Sequence, residues 1–485
     1  MKNIAEFERF VIKIMENINV ESWEYDKTSA FAIEAYANQL VGKTFQEIID
    51  DDANSISERG SENKKNKGNL GQILEERYFH YACNNDSNPD FDEAGVELKV
   101  TPCKENSKGE LVAKERLILT MIDYFKVVNE PFEKSHLWRK CGKILLVFYL
   151  YQKEIPKRLD YKINFVKLFT PPEQDLKIIK HDYDLIVGKI KAGLAHELSE
   201  GDTLYLGAAT KAATSEDRRK QPFSDELAKP RAFSYKNSYM TYVLNNYVIP
   251  SKDNKAEPII KSASVESFED FVEAKIDAFS GYTIDDLCAK FEIQTEKKPK
   301  NLEALLAYRI LGIKGNKAEE FEKANIVVKT IRIGKNNKIK ESMSFPTFKF
   351  TELVNETWEE STFGTYLEQT RFMFVVYKFD ENDKLILKGC QFWNIPYQDL
   401  QNDVRAVWEK TVSVLKEGLQ VTVDERGRRS NNFPNASENR VSHVRPHGLN
   451  AADTYPLPGG GEYTKQCFWL NNTYICSQLK KEFFK

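Results

Sequence analysis

The stretch NPDFDEAGVELKV, residues 88–100, places a turn directly before a short strand-like run. Because alternate residues of a strand point to the same face, Glu97 and Lys99 are predicted to lie side by side, away from the apolar residues of the strand. Asp90 stands just ahead of them, in the turn. A Glu-x-Lys pair taken alone is more often the solvated face of an edge strand than a site. Both interpretations therefore stay open on this stretch by itself.

Composition and charge leave the partner open but bound the size of the fold. The chain has 485 residues, of which 41% are hydrophobic, and this suits roughly two to four domains. The formal net charge of −3 neither favours nor excludes nucleic acid as a partner. Basic residues cluster in segments 64–69, 216–221, 331–340 and 424–429. Such clusters are most often solvated loops.

The cysteines, the glycines and the N-terminal segment argue against several classes of protein. The seven cysteines are scattered without a Cys-x-x-Cys pair, which disfavours a disulfide framework or a structural zinc site. The glycine-rich segment 457–463 lacks the Lys-Ser/Thr that opens a phosphate-binding helix, so no nucleotide cofactor is expected. With no signal-peptide core and no apolar run of about 20 residues, the sequence predicts a cytoplasmic protein without membrane contact.

The order of motifs in the first half of the chain recurs in the second half. The corresponding segments are 37–50 with 277–290, 67–79 with 299–311, 90–102 with 320–332, 114–126 with 340–352, and 143–151 with 371–379. The polar segment 251–264 lies between the copies and is the predicted linker. We therefore predict two tandem domains, at 1–250 and 265–485, each of mixed α/β or α+β fold.

The two copies differ at their acidic residues. The aligned pairs are Glu75 with Ala307, Asp90 with Glu320, Glu97 with Val327, and Lys99 with Lys329. Acids that merely decorate a surface could be lost in this way. If the acids are metal ligands, however, their loss leaves the second copy without catalysis. The difference favours chemistry in the first copy.

The acidic residues of the first copy have the chemistry of a Mg²⁺ site. Mg²⁺ prefers oxygen ligands in an octahedral arrangement, and two carboxylates with phosphate oxygens and waters satisfy that preference. Asp90 and Glu97 are predicted to share one ion, with the backbone carbonyl of Leu98 as a further ligand. Glu75 is predicted to hold a bound water or a second ion. Lys99 would orient the attacking water, lower its pKa, or stabilise the phosphate in the transition state.

These motifs together resemble the MutH-like nucleases. The resemblance is carried by KGNLGQILE, DFDEAGVELKVTP and SHLWRKCGKILL in the first copy, and by AFSGYTIDDL, HVRPH and TKQCFWLNN in the second. The family comprises a mismatch-repair endonuclease with one such domain and type II restriction endonucleases that cut GATC and carry two. The resemblance implies the restriction-endonuclease-like α/β core in both halves, a mixed sheet flanked by helices. It also implies double-stranded DNA containing GATC as the substrate and Mg²⁺ as the cofactor.

The resemblance assigns roles to residues of the first copy. The family's metal-binding acids fall on Asp90 and Glu97, its catalytic lysine on Lys99, and its upstream helical glutamate on Glu75. Two further family lysines fall on Lys67, before that helix and near the DNA, and on Lys140, which supports the active site. Both of these lysines could equally be ordinary surface residues.

The resemblance also separates cutting from base reading. The family's base-reading segments match the second copy at Arg445, Pro446 and Tyr463, with His447 and Lys465 in the same two segments. In the first copy, the arginine position is Ala209 and the tyrosine position is Ser234. The first copy must therefore read its site with other residues, and the candidates are Thr210, Lys211, Tyr235 and Lys236. An arginine can form a bidentate pair with guanine in the major groove.

The expected function is a type II restriction endonuclease that cuts both strands before the G of GATC and leaves 5′-phosphate ends. The second copy is expected to bind a further GATC as an allosteric effector, the arrangement called type IIE. Because a palindrome needs two cuts, two copies of the first domain are expected to meet on DNA as a dimer or to act in sequence. The alternatives are a repair-type GATC nickase, disfavoured by the duplication, and a non-cutting GATC-binding regulator, disfavoured by the intact acidic set.

Overall fold

The computed structural model describes residues 25–55, 70–81, 88–106, 108–211, 214, 216–249, 256–261, 267–293, 299, 301–423, 425 and 429–485. Its elements form a mixed α/β fold in which several sheets are flanked by helices, as the sequence predicts. Within the described ranges, none of the helices combines the length and the apolar composition needed to cross a lipid bilayer.

Runs of helices and runs of strands follow one another along the chain. The α-helices are α1 (Ala30–Ala37), α2 (Phe45–Ser55), α3 (Leu70–Ile73), α4 (Tyr124–Val127), α5 (His136–Cys141), α6 (Glu173–Lys191), α7 (Asn237–Val243), α8 (Phe268–Asp277), α9 (Ile284–Lys290), α10 (Leu302–Ile310), α11 (Glu319–Ala324), α12 (Phe350–Leu353), α13 (Thr362–Gln369), α14 (Arg405–Glu417) and α15 (Asn472–Gln478). Three π-helical turns adjoin them at Leu74–Tyr78, Leu244–Val248 and Asp399–Val404. Short 3₁₀ turns lie at Asn38–Leu40, Phe132–Lys134, Arg158–Asp160, Ala195–Glu197, Glu200–Asp202, Trp358–Glu360 and Lys481–Phe484.

The strands of the first half are β1 (Glu97–Glu105), β2 (Leu111–Ala113), β3 (Leu117–Met121), β4 (Ile144–Leu150), β5 (Lys162–Phe169), β6 (Leu206–Thr210), β7 (Arg219–Gln221), β8 (Ser224–Ala228) and β9 (Arg231–Tyr235). Those of the second half are β10 (Ile326–Ile333), β11 (Met343–Phe348), β12 (Arg371–Phe379), β13 (Leu385–Trp393), β14 (Val421–Val423), β15 (Arg429–Asn431), β16 (Ser442–Pro446), β17 (Thr454–Pro456), β18 (Glu462–Thr464) and β19 (Gln466–Leu470).

The chain divides into two compact units. The first comprises residues 1–104 and 138–170, and the second comprises residues 105–137 and 171–485. In the first unit, β4 pairs in parallel with β1 and antiparallel with β5. The run ILLVFYL of β4 is buried along nearly its whole length, as expected for a central strand with a parallel neighbour. Side chains of α1, α2 and α3 pack with β1 and β4 in one apolar core.

The second unit contains a repeat of this strand arrangement. There β12 pairs in parallel with β10 and antiparallel with β13, which is the order of β1, β4 and β5. Two antiparallel three-stranded sheets, β3-β9-β6 and β11-β19-β16, also have the same order as each other. These repeated orders agree with the order of motifs along the sequence. The division into tandem domains at 1–250 and 265–485 stays a prediction.

Part of the predicted linker is packed on the fold. Of residues 251–264, the structure describes 256–261. The backbone N–H groups of Ile259 and Ile260 both donate to the Glu320 carboxylate of α11, at 2.9 Å each. Glu320 is the residue that aligns with Asp90, so in the second half this acid is used to hold the backbone of the linker.

Candidate active site

A tight turn delivers the acidic residues to the start of β1. Gly95 has a φ of +64°, a left-handed conformation that favours glycine. Phe91 and Val96 exchange both backbone hydrogen bonds across this turn, at 2.9 and 3.1 Å. The turn therefore folds Asp90 back onto the strand, where its carboxylate Oδ2 accepts the backbone N–H of Leu98 at 2.8 Å.

Glu97 and Lys99 lie on one face, as their spacing predicts. The Lys99 ammonium is 2.6 Å from Oε1 of Glu97, and Oε2 of Glu97 accepts the backbone N–H of Asp90 at 3.3 Å. Glu97 is only 2% exposed, which rules out the solvated edge strand. The interpretation of this pair as surface decoration is therefore excluded for this structure.

Lys140 joins the cluster from α5. Its ammonium lies 3.7 Å from Oε1 of Glu97, and its side chain is largely buried. Helix α5 leads into β4, which pairs with β1 in a register that sets Glu97 opposite Ile144. The parallel pairing thus brings the end of α5 next to the start of β1. Of the two additional lysines predicted here, Lys140 is in the cluster, whereas Lys67 lies outside the described residues.

Electrostatics keep Lys99 in its charged form. Burial is the largest single influence and lowers the pKa of the Lys99 ammonium, but the surrounding negative groups, chiefly the Glu97 carboxylate, together make the net shift upward. This upward shift favours the cationic form of Lys99 beside Glu97. Burial also raises the pKa of the Glu97 carboxyl, against the attraction of Lys99. Additional positive charge beside Glu97 would relieve that cost.

Tyr81 lies close enough to the acids to be affected by their charges. The sequence motifs had not identified it as a candidate site residue. Its hydroxyl is buried without a hydrogen-bond partner among the described residues. Burial raises the pKa of Tyr81, and the charges of Asp90, Glu75 and Glu97 raise it further. All three carboxylates therefore act on this one hydroxyl. An unsatisfied hydroxyl in such a position is suited to a water of an ion's hydration shell.

The donor set fits a hard divalent ion held in part by water. Within the described ranges, no three His, Cys, Asp or Glu side chains are close enough to hold an ion between them. The available ligands are the carboxylates of Asp90 and Glu97 with the carbonyl of Leu98, and Mg²⁺ typically takes one or two carboxylates plus waters and substrate phosphates. Glu75 lies in the π turn after α3. Its charge raises the pKa of Tyr81, but among the described residues it does not form a group of three metal-binding side chains with Asp90 and Glu97.

In the second half, the equivalent strand lacks the acid. The register of β10 with β12 sets Val327 opposite Phe372 and Lys329 opposite Phe374. In the first half, β1 and β4 pair in the same way, with Glu97 opposite Ile144 and Lys99 opposite Leu146. The sequence alignment of the two copies is thus reproduced by the pairing of the strands. Lys329 keeps its place on the strand without a carboxylate at the Glu97 position.

The base-reading candidates of the second half form an exposed surface at the end of β16. Arg445, Pro446 and His447 are all exposed. The Arg445 guanidinium lies 3.8 Å above the ring of Trp469, and the His447 ring meets the same indole edge-on at 5.3 Å. Trp469 is 9% exposed. The sequence alone did not identify this indole. Trp469 is the diagonal neighbour of Arg445 across β16 and β19, a relation that follows only from the register of the two strands.

Tyr463 and Lys465 are placed beside this surface with partners of their own. The Tyr463 hydroxyl accepts a hydrogen bond from the Asn431 side chain at 3.1 Å. The Lys465 ammonium pairs with Asp453 at 2.5 Å and lies 4.7 Å from the ring of Tyr455. Both side chains are at least partly exposed.

The candidates of the first half separate into two groups. Thr210 and Lys211 are exposed at the end of β6. Tyr235 and Lys236 are instead buried, at 2% and 3% exposure. The Lys236 ammonium donates to the carbonyl of Thr203, and burial lowers its pKa to about 8. The structure does not bring these last two side chains to a surface.

Strand register also changes one match between the halves. If Ala209 is the counterpart of Arg445, the pairings of β6 with β9 and of β16 with β19 make Ser234 the counterpart of Trp469. The sequence comparison had instead placed Ser234 at the tyrosine position. Ala209 and Ser234 are both fully buried small residues, so at these two described positions the first half lacks the pair formed by Arg445 and Trp469.

Comparison with known proteins places this arrangement among nucleases. A family model described as "DNA mismatch repair enzyme MutH" matches residues 79–182, a span that contains Asp90, Glu97, Lys99 and Lys140. The type II restriction enzyme Sau3AI of Staphylococcus aureus is 38% identical, over 93% of this chain and 98% of its own. The DNA mismatch repair protein MutH of Vibrio parahaemolyticus is 25% identical over 35% of this chain and 72% of its own. The DNA mismatch repair protein MutH of Shewanella woodyi is 25% identical over 43% of this chain and 88% of its own length.

Proposed function

The chain belongs to the MutH-like nuclease family in its type II restriction enzyme branch, and from this premise we propose that it cleaves both strands of double-stranded DNA at GATC. It is a site-specific deoxyribonuclease, and enzymes of this class generally depend on a metal ion. In the proposal, the first half cuts before the G with Mg²⁺ as cofactor. The second half binds another GATC and acts as an allosteric effector.

One observation supports the proposal that the first half cuts DNA and the second half only binds it. The register of β1 and of β10 aligns Glu97 with Val327, while the lysine two residues on is present in both strands. The first half also has Asp90 turned onto its strand. The corresponding Glu320 is occupied by the backbone of residues 259–260. These differences support a catalytic first half and a second half that binds without cutting.

The first half has residues suited to phosphodiester hydrolysis. Asp90, Glu97 and the Leu98 carbonyl would hold Mg²⁺, which when bound supplies a Lewis acid for the phosphoryl oxygen. Lys99, held as a cation by Glu97, stands where it can stabilise the negative charge that develops on the phosphate. Lys140 adds positive charge beside the same carboxylate and positions Glu97. Burial of Glu97 limits the competition of bulk water for these charges.

Cleavage of a palindrome on both strands requires two catalytic events. One chain offers a single acidic cluster of this type in the described structure. We therefore infer that two copies of the chain assemble at one GATC, or that one chain cuts the strands in turn. Analytical ultracentrifugation of the chain with and without a GATC duplex separates these two routes.

A plasmid digest tests the proposed function directly. Plasmids with methylated and unmethylated GATC sites are incubated with the full chain and Mg²⁺, and the ends of the products are sequenced. We expect fragments with four-base 5′ overhangs that begin at the G, and no cutting in EDTA. Nicked circles without linear product would favour a nickase instead, and intact plasmid under all conditions would contradict the proposal.

Arg445 is expected to read a base edge of the effector site. Loss of a bidentate arginine–guanine pair costs about 1–3 kcal/mol of discrimination. Arg445→Ala, made in a cleavage-deficient Glu97→Ala full chain, should therefore reduce the preference for GATC over a scrambled duplex by about tenfold. Binding to the scrambled duplex should change less, because phosphate contacts carry no sequence information. Fluorescence anisotropy titration measures both affinities.

The control for this prediction is Arg405→Ala. Arg405 is a partly exposed arginine of the same half that pairs with Glu409 in its own helix, so its removal deletes the same charge outside the segment 445–447. An Arg445→Ala chain that discriminates GATC as well as the Arg405→Ala chain would remove Arg445 from the reading surface.

A further inference from the structure

A groove runs along β10 in the second half and is not used by the active site or by the reading surface. Its volume is about 1140 Å³. It lies between β10, the start of α10 and the loop 334–342 that joins β10 to β11. The cationic side chains along its wall are Lys329, Arg332, Lys338 and Lys340. Glu303 and Glu341 are the acids that line it.

The cations of the groove are unequally neutralised. Arg332 forms an ion pair with Glu303. Lys329, Lys338 and Lys340 form no ion pair with any described residue. Lys335 lies on the same loop outside the groove and pairs with Asp383 at 3.0 Å. The groove therefore contains an excess of positive charge, and the most enclosed part of that charge is Lys329.

Lys329 differs from Lys99 in the charge that faces it. Lys99 touches the Glu97 carboxylate at 2.6 Å, whereas the equivalent residue beside Lys329 is Val327. Burial lowers the pKa of Lys329, with no carboxylate offsetting it. The Lys329 ammonium lies 5.9 Å from the centre of the Phe345 ring. A partly buried ammonium without a counter-charge is costly, and an anion in the groove would remove that cost.

The anion that suits the groove is a phosphate. Lysines bind phosphates as point charges on flexible stems, and several of them along an open groove match a repeating phosphodiester. Divalent-ion binding is disfavoured here, because Val327 replaces the buried ligand and Glu320 holds the backbone of Ile259 and Ile260. The chemistry of the strand is thus changed from holding a cation to binding an anion.

We propose that this groove binds a phosphodiester of the effector DNA directly, without a divalent ion, with Lys329 as the inner contact and Lys338 and Lys340 at the rim. The inference rests on the proposed function of the second half as a DNA-binding effector domain. It assigns to Lys329 a binding role that replaces the catalytic one of its counterpart Lys99.

Lysine footprinting of the full chain tests the groove without any change in its folding. The cleavage-deficient Glu97→Ala chain is reductively methylated in EDTA, with and without a saturating GATC duplex, and labelling is quantified by mass spectrometry. We expect the duplex to reduce labelling of Lys329 at least fivefold, roughly the effect of a persistent phosphate contact, while Lys335 is labelled equally in both samples. Unchanged labelling of Lys329, or protection that requires added Mg²⁺, would overturn the proposal.

Substitution gives the second measurement. Lys329→Gln in the same chain should weaken binding several-fold and by a similar factor on GATC and scrambled duplexes. It should also reduce the slope of log affinity against log salt by about 0.9, the contribution of one phosphate contact on duplex DNA. Lys335→Gln is the matched control. Equal affinities and slopes for the two variants would contradict the inference.

The two proposals fail in different ways. If Arg445→Ala abolishes the preference for GATC while Lys329 is still labelled in the presence of duplex, the groove is not a phosphate site and the effector function stands. If the parent chain shows no preference for GATC that depends on Arg445, the effector function itself fails.

Discussion

Asp90→Ala and Glu97→Ala are each expected to reduce DNA cleavage by at least about 10³-fold, or about 4 kcal/mol of transition-state stabilisation at 1.36 kcal/mol per factor of ten. Each substitution removes one of the two carboxylates that would hold the ion, whereas the residues proposed to contact the grooves of DNA lie elsewhere in the chain. Binding to a GATC duplex should therefore stay measurable. Single-turnover cleavage and anisotropy titration, performed on the same preparations, give the two quantities.

Glu93→Ala is the matched control for these variants. Glu93 is an exposed acid in the same turn, so its loss changes the local charge equally but removes no ligand. Its cleavage rate should stay near that of the parent chain. Parental rates for either Asp90→Ala or Glu97→Ala would place the metal site elsewhere.

Lys99→Ala is expected to lower the cleavage rate by about 10²–10³-fold, the range for removal of one preorganised group that stabilises transition-state charge. The reason is that Lys99 is a partly buried cation next to the proposed metal ligand, so no solvent cation can take its place with the same geometry. The cleavage rate should fall even at saturating enzyme and Mg²⁺. Such a result would show that the substitution affects the chemical step and not DNA binding.

Two controls accompany Lys99→Ala. Lys104→Ala removes an exposed lysine of the same strand, and its cleavage should be close to parental. Because Glu97 loses its buried ion-pair partner in Lys99→Ala, the thermal unfolding of that variant must be compared with that of the parent chain. A folded Lys99→Ala chain that cuts as fast as Lys104→Ala would exclude Lys99 from the chemistry.

Much of the active site could be predicted from the sequence because the relevant geometry is local. A period of two within one strand determines that Glu97 and Lys99 share a face, and in the structure the Lys99 ammonium lies 2.6 Å from the Glu97 carboxylate. The repeated order of motifs predicted that a mixed α/β fold recurs along the chain, and the structure shows the same parallel-then-antiparallel strand arrangement twice. The loss of Glu97 at Val327 was visible for the same reason, since it needs only an alignment of two strands.

The base-reading surface was predicted less completely because it depends on partners that are distant in the sequence. Tyr235 and Lys236 have residue types that suit DNA contacts, but β9 pairs on both sides, with β3 and β6, and both side chains are buried. Trp469 lies under Arg445 because of the register between β16 and β19. Neither fact follows from the order of residues within one segment.

The sequence by itself determined the family, through the resemblance of its motifs to those of known nucleases. It also determined the mixed α/β class and the acidic cluster of the first half, because these depend on patterns within short segments. The tertiary structure alone decided that Glu97 is buried, that Lys140 is a neighbour of Glu97 rather than an ordinary surface lysine, and that Lys329 lines a groove without a carboxylate partner. The physical reason is that burial and counter-charge are properties of the whole packed chain. A side chain's direction follows from its own strand, whereas its solvation depends on which other strands and helices pack against it.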